Sequence, residues 1–407
     1  MRASKLILPV LVVGCLQACA PEVAPGEINT AYYEKVQKQL QEAKPGAVIT
    51  LKEGTFEFDR PLSLDGVAGV SIRGAGMDRT ILSFAQQKAG GEGLRITADS
   101  VVLEGFTIRD AKGDNIKVQD ARGVTLRNVK TTWTGGAKAT NGGYGIYPVA
   151  CTDVLVEGCE ASYASDAGIY VGQSTNVVVR NCHAHHNVAG IEIENCVNSE
   201  VYQNRVDNNT GGILVFDMPD LPLVNGHSTR VFANFISDNN FRNFAPEGNI
   251  VGIVPPGTGI ILLAAKKVEV FNNRLTGHKT MGAAIASFQI TERTWNNPQY
   301  DPFTYEVYFH NNQFERGTAA PDTTRAFGQM ITTIFGPAAQ DILYDGIVQD
   351  GKTGASPLNP MTICIREDQR LRFANIDAGR GSQQVSTDRR PYDCQVQVST
   401  DLSKVVQ

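Results

Sequence analysis

The chain has 407 residues, of which 42% are apolar and 19% are charged, proportions that are ordinary for a protein with a buried core. Its formal net charge of −5 argues against a phosphate-backbone partner, so we expect no binding to nucleic acid. This charge is too small to indicate any particular cation or ligand.

The chain begins with the features of an export signal. Two basic residues precede an apolar run over residues 6–13, which is too short to span a bilayer and fits a secretory signal. Residues 16–19, Leu-Gln-Ala-Cys, resemble the lipobox of bacterial lipoproteins, whose cysteine is lipidated after cleavage. We therefore predict a lipoprotein signal peptide over 1–18, a lipid anchor on Cys19 and a location in the bacterial cell envelope, periplasmic or surface-exposed. The alternative is an ordinary signal peptide with a coincidental cysteine.

A linker and one predicted helix follow and together span 19–44. The helix covers 29–43, where Tyr32, Val36 and Leu40 recur on one face and Asn29 can cap the first turn. Such a helix would cover the open end of a repeat array, whose terminal coil otherwise exposes core and strand edges.

The central part of the chain repeats a short pattern. An apolar residue is followed three positions later by an asparagine, a cysteine or another apolar residue. The steps between successive repeats are 23, 30, 23, 22, 30, 39 and 39 residues, counted between Leu103, Leu126, Val156, Val179, Val201, Val231, Val270 and Phe309.

A basic period near 22–23 residues with insertions is typical of a solenoid. Three short strands per coil, with no helix between them, predict an all-β fold, a parallel β-helix, over 45–335. The leucine scaffold of a leucine-rich repeat is missing. Residues 336–407 lack the repeat, and we predict that they form an irregular segment that packs on the solenoid or caps it.

Asparagines occupy one corner of the later repeats. We expect Asn204, Asn234, Asn273 and Asn312 to stack as an internal ladder in which each amide satisfies backbone groups of a neighbouring coil. Their predicted role is therefore structural.

Several segments carry a resemblance to known families. They include Tyr-Gly-Ile-Tyr-Pro-Val at 144–149, Asp-Ala-Gly-Ile-Tyr-Val at 166–171, Gly-Ile-Glu-Ile-Glu at 190–194 and Gly-Gly-Ile-Leu-Val-Phe-Asp at 211–217. The pattern resembles right-handed parallel β-helix families that act on polysaccharides. It is more similar to a family of bacterial parallel β-helix repeat-containing lipoproteins. The resemblance covers nearly the whole mature chain and implies right-handedness and export, but little chemistry.

Export permits disulfides. Cys364 and Cys394 lie in the non-repetitive segment, and we predict that they are bridged. Cys159 and Cys182 share a repeat position one coil apart, so they form either a second bridge or two buried thiols.

Four insertions indicate which face of the solenoid matters. Those at 132–143 and 240–258 precede Gly-Ile strands, and those at 216–228 and 288–304 follow them. Because a solenoid needs only short corners, we expect these long loops to wall a cleft on one sheet face. Tolerated surface insertions are the alternative.

The floor of that cleft follows from strand alternation. The outward positions of successive coils are Lys117, Tyr147, Tyr170, Glu192, Leu214 and Ile261 in one stack, and Gln119, Val149, Gly172, Glu194, Phe216 and Leu263 in the next. Aromatic rings beside carboxylates suit a sugar. The predicted ligand-binding residues are Lys117, Tyr144, Tyr147, Asp166 and Asp217, and the candidate catalytic residues are Glu192, Glu194 and Tyr170. A solvated acidic face is the competing interpretation.

A comparison with alginate epimerases and lyases argues against their mechanism. Those enzymes carry Tyr-Gly-x-Asp-Pro-His on such a strand, with Asp and His at the reacting sugar. Here Tyr147 and Val149 replace these two residues, while Tyr144 and Pro148 match. The resemblance therefore implies a diverged binding site.

The histidines His183, His185 and His186 lie together on one corner, where a solvated turn is the simpler explanation than a metal site. We predict no metal, no cofactor and a monomer. The sequence favours an exported, lipid-anchored protein that binds a polysaccharide on the long-loop face. If the protein is an enzyme, we expect it to process that polysaccharide as a lyase or an epimerase. The alternative is a non-enzymatic scaffold or binding module of a cell-envelope complex.

Overall fold

The computed structural model of the protein describes residues 26–403 and 405. The predicted signal peptide over 1–18 and the lipidation site Cys19 lie outside the described residues. Within these residues, no helix is both long and apolar enough to cross a membrane.

The described residues contain two α-helices and many short strands. The helices are α1 (Thr30–Gln41) and α2 (Ala326–Phe335), and 3-10 turns cover Ile250–Ile253, Phe288–Thr291, Ala378–Arg380 and Arg390–Tyr392. The strands are β1 Val48–Thr50, β2 Gly54–Glu57, β3 Leu62–Asp65, β4 Ser71–Arg73, β5 Thr80–Ser83, β6 Leu94–Thr97, β7 Val101–Glu104, β8 Thr107–Arg109, β9 Ile116–Gln119, β10 Arg122–Arg127, β11 Lys130–Thr132, β12 Tyr144–Val149, β13 Thr152–Glu157, β14 Glu160–Ser162, β15 Ala167–Gly172, β16 Thr175–Arg180, β17 His183–His185, β18 Ala189–Glu194, β19 Val197–Tyr202, β20 Arg205–Asp207, β21 Gly211–Phe216, β22 His227–Phe232, β23 Phe235–Ser237, β24 Thr258–Leu263, β25 Lys266–Phe271, β26 Arg274–Thr276, β27 Met281–Ala286, β28 Tyr305–His310, β29 Gln313–Glu315, β30 Gln340–Tyr344, β31 Ile363–Arg366 and β32 Phe373–Asn375.

Strands that are three apart in the numbering pair with each other, and this produces three parallel sheets. The first sheet runs from β1 to β31, the second from β2 to β29, and the third from β3 to β30 and then β32. The chain is therefore a right-handed parallel β-helix with one helix at its N-terminal end, and this confirms the predicted fold.

The core lies inside the coil and is built from aligned apolar residues. The isoleucines of the Gly-Ile strands are in register from coil to coil, as Ile146, Ile169, Ile191, Ile213 and Ile260 show, and all five are fully buried. Burying one such side chain contributes roughly 1.5–3 kcal/mol to folding. Because the side-chain period of a strand is two, this inward register sends the neighbouring residues outward.

The helix α1 covers the first coil, as predicted, but its start differs from the expectation. Tyr33, Val36 and Leu40 are its buried apolar residues and join the core. The Asn29 side chain makes no capping bond to the helix. Its Oδ1 instead accepts a hydrogen bond of 2.8 Å from the backbone N–H of Glu57, so the predicted side-chain cap is wrong. Asn29 ties the helix to the sheet edge.

The predicted asparagine ladder is present at the corner that precedes the second sheet. Oδ1 of Asn234 accepts from both the backbone N–H and Nδ2 of Asn204, each at 3.0 Å, and Asn273 and Asn312 continue the same arrangement. The ladder ends at Glu367, whose carboxylate accepts the backbone N–H and Nδ2 of Asn312 at 3.0 and 2.6 Å.

A second ladder, which the sequence analysis missed, lies at the corner before the third sheet. Asn187, Asn209 and Asn239 bond successively in the same way. It ends at His278, whose Nε2 lies 3.2 Å from Nδ2 of Asn239. Burial lowers the pKa of His278 to about 3, so this ring is neutral.

The solenoid continues beyond residue 335, where the sequence analysis placed its end. The strands β30, β31 and β32 join the sheets although neither the asparagine nor the Gly-Ile signal marks them. Cys364 on β31 forms a disulfide with Cys394, the pair favoured from the sequence. Cys159 and Cys182 are buried free thiols.

Candidate functional site

The outer face of the third sheet carries the residues that the alternation pattern placed there. The register pairs Tyr147 with Lys117, Tyr170 with Glu192, and Glu192 with Leu214. The apolar outward residues from Tyr170 onward, such as Leu214, Phe216 and Ile261, pack in a cluster separate from the core inside the coil.

Parts of the long loops fold onto this face, whereas the 245–255 and 289–293 segments wall a cleft farther along it. Residues of the 240–258 and 288–304 loops and of α2 belong to the same outer apolar cluster. As a result Tyr170 and Glu192 are only 3% and 1% exposed, so the expectation of an open floor at these two residues is wrong. The physical reason is that the next outward positions, Leu214 and Ile261, are apolar and need a cover.

Beneath the loops lies a group that we call the acid–tyrosine cluster, which consists of Asp114, Tyr144, Tyr147, Asp166, Tyr170, Glu192 and Glu194. The ring of Tyr144 lies 4.5 Å from that of Tyr147 and 4.4 Å from that of Tyr170, measured between centroids. The hydroxyl of Tyr170 donates a 2.7 Å hydrogen bond to Oε1 of Glu194. Two of the three candidate catalytic residues are thus in direct contact.

The carboxyl groups of the cluster hold their protons unusually tightly. Desolvation by burial, followed by repulsion from Glu194, raises the pKa of Asp166 to about 7. Desolvation also raises the pKa of Glu194 to about 7, against the hydrogen bond from Tyr170. The pKa of Glu192 is raised for the same reason, and its Oε2 is buried without a hydrogen-bond partner. Near neutral pH Asp166 and Glu194 can therefore exchange protons.

One side of the cluster is open to solvent. Asp114, Lys117, Tyr144 and Tyr147 are half-buried and form what we call the rim. Nζ of Lys117 lies 5.0 Å from the ring centroid of Tyr147, and Oδ1 of Asp114 accepts the backbone N–H of Tyr144 at 3.1 Å. Burial raises the pKa of Asp114 to about 6. The rim is therefore the part of the cluster with the most solvent exposure.

The predicted ligand residue Asp166 lies deeper, where it anchors a covering loop. Its side chain is 8% exposed, and Oδ2 accepts a 3.1 Å hydrogen bond from Nδ2 of Asn249. The 240–258 loop is therefore attached directly to the carboxyl cluster.

Asp217, the other predicted ligand residue, has a structural role in this geometry. It is 1% exposed, and its Oδ2 pairs with Nζ of Lys266 at 2.7 Å. Its carboxylate also accepts hydrogen bonds from the backbone N–H groups of Asn225 and Gly226 at 3.0 and 2.9 Å. These bonds close the loop that runs from Asp217 to Asn225. No local sequence signal indicates this role of Lys266, because 49 residues separate it from its partner.

The histidine corner pairs with its neighbours. Nε2 of His183 lies 2.6 Å from Oδ1 of Asp207, and Nδ1 of His185 lies 2.8 Å from Nδ1 of His186. Across residues 26–403, no group of three or more His, Cys, Asp or Glu side chains is arranged to hold a metal ion.

Further along the same face a large opening, which we call the apolar cleft, has a volume of about 1140 Å³. Its floor consists of outward residues of β24 and β27, including Ile261, Leu263 and Ala284, and its walls are the 245–255 segment and α2. The sequence contains one signal for this cleft. Along the stacks of outward residues, the residue type changes from tyrosine and glutamate to aliphatic residues.

Comparisons with known proteins agree with the fold. A family described as "Right handed beta helix region" matches residues 68–227. The pre-neck appendage protein of Bacillus phage B103 is 22% identical over 261 residues, which cover 54% of this chain. The match spans 29% of the length of that relative.

Two solved structures share the architecture. The surface protein and adhesin PfbA of Streptococcus pneumoniae is 11% identical with a TM-score of 0.52, and the match covers 77% of this chain and 84% of that one. The Dettilon tailspike protein is 13% identical with a TM-score of 0.51, and the match covers 77% of this chain and 55% of that one. At these identities the likeness concerns the fold alone.

Proposed function

We propose that the protein binds a glycan at the rim of the acid–tyrosine cluster. The observation that carries this proposal is the half-buried ring of Tyr147, which stands between Lys117 and Tyr144 above buried carboxyl groups. A ring offers a flat apolar platform for a sugar face, while Asp114 and Lys117 offer an acceptor and a donor for its polar groups.

The geometry favours binding over turnover. Tyr170 and Glu192 are enclosed by the loops, so a sugar at the rim does not touch them. Glu194, at 9% exposure and with a pKa of about 7, is the best placed of the three candidate catalytic residues to exchange a proton with a ligand. Any processing of the glycan would therefore depend on Glu194.

We further propose that the protein is exported and lipid-anchored through Cys19 in the bacterial cell envelope. The support is the sequence alone, namely the apolar run over 6–13 and the lipobox-like residues 16–19.

A glycan-array screen of the mature protein, followed by titration with the best ligand, tests the proposal. Tyr147→Ala should weaken binding about tenfold, because it removes the stacking platform. The matched control is Tyr308→Ala, which changes a half-buried tyrosine on the first sheet and should bind as the wild type does. Failure of the wild type to bind any glycan, or equal weakening by both variants, would contradict the proposal. Turnover by the wild type that is lost in Glu194→Gln would instead establish processing.

A scaffold role in an envelope complex is the second candidate, and the enclosure of Glu192 and Tyr170 by loops is the observation in its favour. In that case the wild type would bind no glycan. Chemical cross-linking in intact cells would join the protein to the same envelope protein in the wild type and in Tyr147→Ala.

A further inference from the structure

The apolar cleft has features that a glycan site does not require. Its floor residues Leu263, Met281 and Ala286 point outward from their strands, a direction in which solenoid side chains usually meet water. The floor and walls enclose about 1140 Å³, enough for a ligand of substantial size.

One wall of the apolar cleft is the apolar face of α2. Phe327, Met330 and Ile334 follow one another at the spacing of a helix face, line the cleft and are only half-buried. A helix that turns such a face toward an opening leaves an apolar surface uncovered, which marks an interaction site.

Two polar atoms in the cleft lining lack partners. Nε of Arg325 and Oε1 of Gln289 are both buried without a hydrogen bond, although buried polar atoms are almost always paired. The Arg325 guanidinium donates a 3.4 Å bond to the backbone oxygen of Asn243 and forms no ion pair with any described carboxylate. The other charged residues of the lining, Glu247, Glu292 and Arg293, are exposed at its edge.

We propose that the apolar cleft binds a single-chain lipid with an anionic, hydroxyl-bearing headgroup. The acyl chain covers the aliphatic floor and the α2 face. The anion pairs with Arg325, and a headgroup hydroxyl donates to Oε1 of Gln289. This function goes beyond glycan binding and uses residues outside the rim.

Isothermal titration calorimetry tests the proposal, with lysophosphatidylglycerol as the probe at concentrations below its critical micelle concentration. Lysophosphatidylcholine with the same chain tests the need for net negative charge, and glycerol phosphate tests the need for the chain. We expect lysophosphatidylglycerol to bind more tightly than lysophosphatidylcholine, and glycerol phosphate not to bind.

Two variants locate the ligand. Arg325→Gln should weaken binding of lysophosphatidylglycerol about tenfold or more, and that of lysophosphatidylcholine little. Ala284→Phe fills the floor and should weaken both. The matched control is Arg274→Gln, an exposed arginine on the second sheet that pairs with Glu315, and it should bind both lipids as the wild type does.

Two results would overturn the proposal. One is a wild type that does not bind lysophosphatidylglycerol, and the other is unchanged binding in Arg325→Gln and Ala284→Phe together. Because Arg325 is half-exposed at the start of α2, its variant is expected to fold even if Ala284→Phe does not. Tyr147→Ala should keep lipid binding, so failure of the glycan proposal would be seen separately.

Discussion

Glu194 should make the folded protein less stable as the pH rises through neutrality, and Glu194→Gln should remove that loss. The carboxyl is buried and its pKa in the folded state is about 7, against an ordinary value of 4.5. A carboxyl with a raised pKa binds its proton more tightly in the folded state than in the unfolded state. Its stabilising contribution is therefore complete below pH 4.5 and is lost as the pH rises through about 7.

The size of the effect follows from the two pKa values. A rise from 4.5 to about 7 corresponds to roughly 3 kcal/mol over the full titration. Between about pH 5 and about pH 8 the greater part of it, about 2–3 kcal/mol, is lost. Repulsion from Glu194 also contributes to the raised pKa values of Asp166 and Glu192, so its removal eases their ionisation too.

The comparison needs the variant because another buried group acts in the opposite direction. His278 has its pKa lowered to about 3, so its contribution is lost as the pH falls below 6.5. His278 contributes equally to the unfolding free energies of the wild type and Glu194→Gln, so its contribution cancels in their difference. We expect the two proteins to have similar unfolding free energies near about pH 5, and the variant to be about 2–3 kcal/mol more stable near about pH 8.

Urea unfolding followed by circular dichroism at constant ionic strength measures this difference. Glu53→Gln is the matched control, because Glu53 is exposed and forms only a surface ion pair with Arg79, so its replacement should change stability little. Parallel stability curves for wild type and Glu194→Gln across this pH range would refute the reasoning, since they would mean that Glu194 is solvated in the folded protein.

Three further predictions concern the scaffold and the anchor. Asn234→Leu should cost about 1–3 kcal/mol in thermal or urea unfolding, because buried backbone groups lose their partners, whereas Asn296→Leu on an exposed loop should cost little; equal melting curves for the two variants would contradict the ladder. Cys394→Ala should lower the free energy of unfolding by about 2–4 kcal/mol under non-reducing conditions, and a reductant should then have no further effect on it. An unchanged free energy of unfolding would mean that Cys364 is unpaired in solution. Mass spectrometry of the membrane fraction should find lipid on Cys19 as the first residue, and an unmodified N-terminus would end that proposal.

The sequence predicts the register of the solenoid well because two short-range signals agree. Inward isoleucines recur beside glycine in each coil, and a strand has a period of two. These signals together pair Tyr170 with Glu192 and Glu194 with Phe216. The second ladder was also predictable, since Asn187, Asn209 and Asn239 follow at steps of 22 and 30 residues that match those of the repeat.

The site was harder to predict because its geometry depends on long-range contacts. The length of an insertion shows that a loop exists, but not whether it stands beside a sheet or folds over it. The attachment of Asn249 to Asp166 spans 83 residues, and that of Lys266 to Asp217 spans 49. Neither pairing has a local signal, so the burial of Tyr170 and Glu192 could not be inferred from alternation alone.

The two ladders also determine how the molecule can change length during evolution. Within a ladder each asparagine meets another asparagine, so duplication of one internal coil, such as residues 204–233, would place identical donors and acceptors at both new junctions. The ends do not allow this, because the Glu367 carboxylate offers only acceptors and the single facing nitrogen of His278 cannot act as both donor and acceptor. Gene duplication can therefore add coils between these two kinds of terminus, whereas a coil added after either of them would have no partner for its corner.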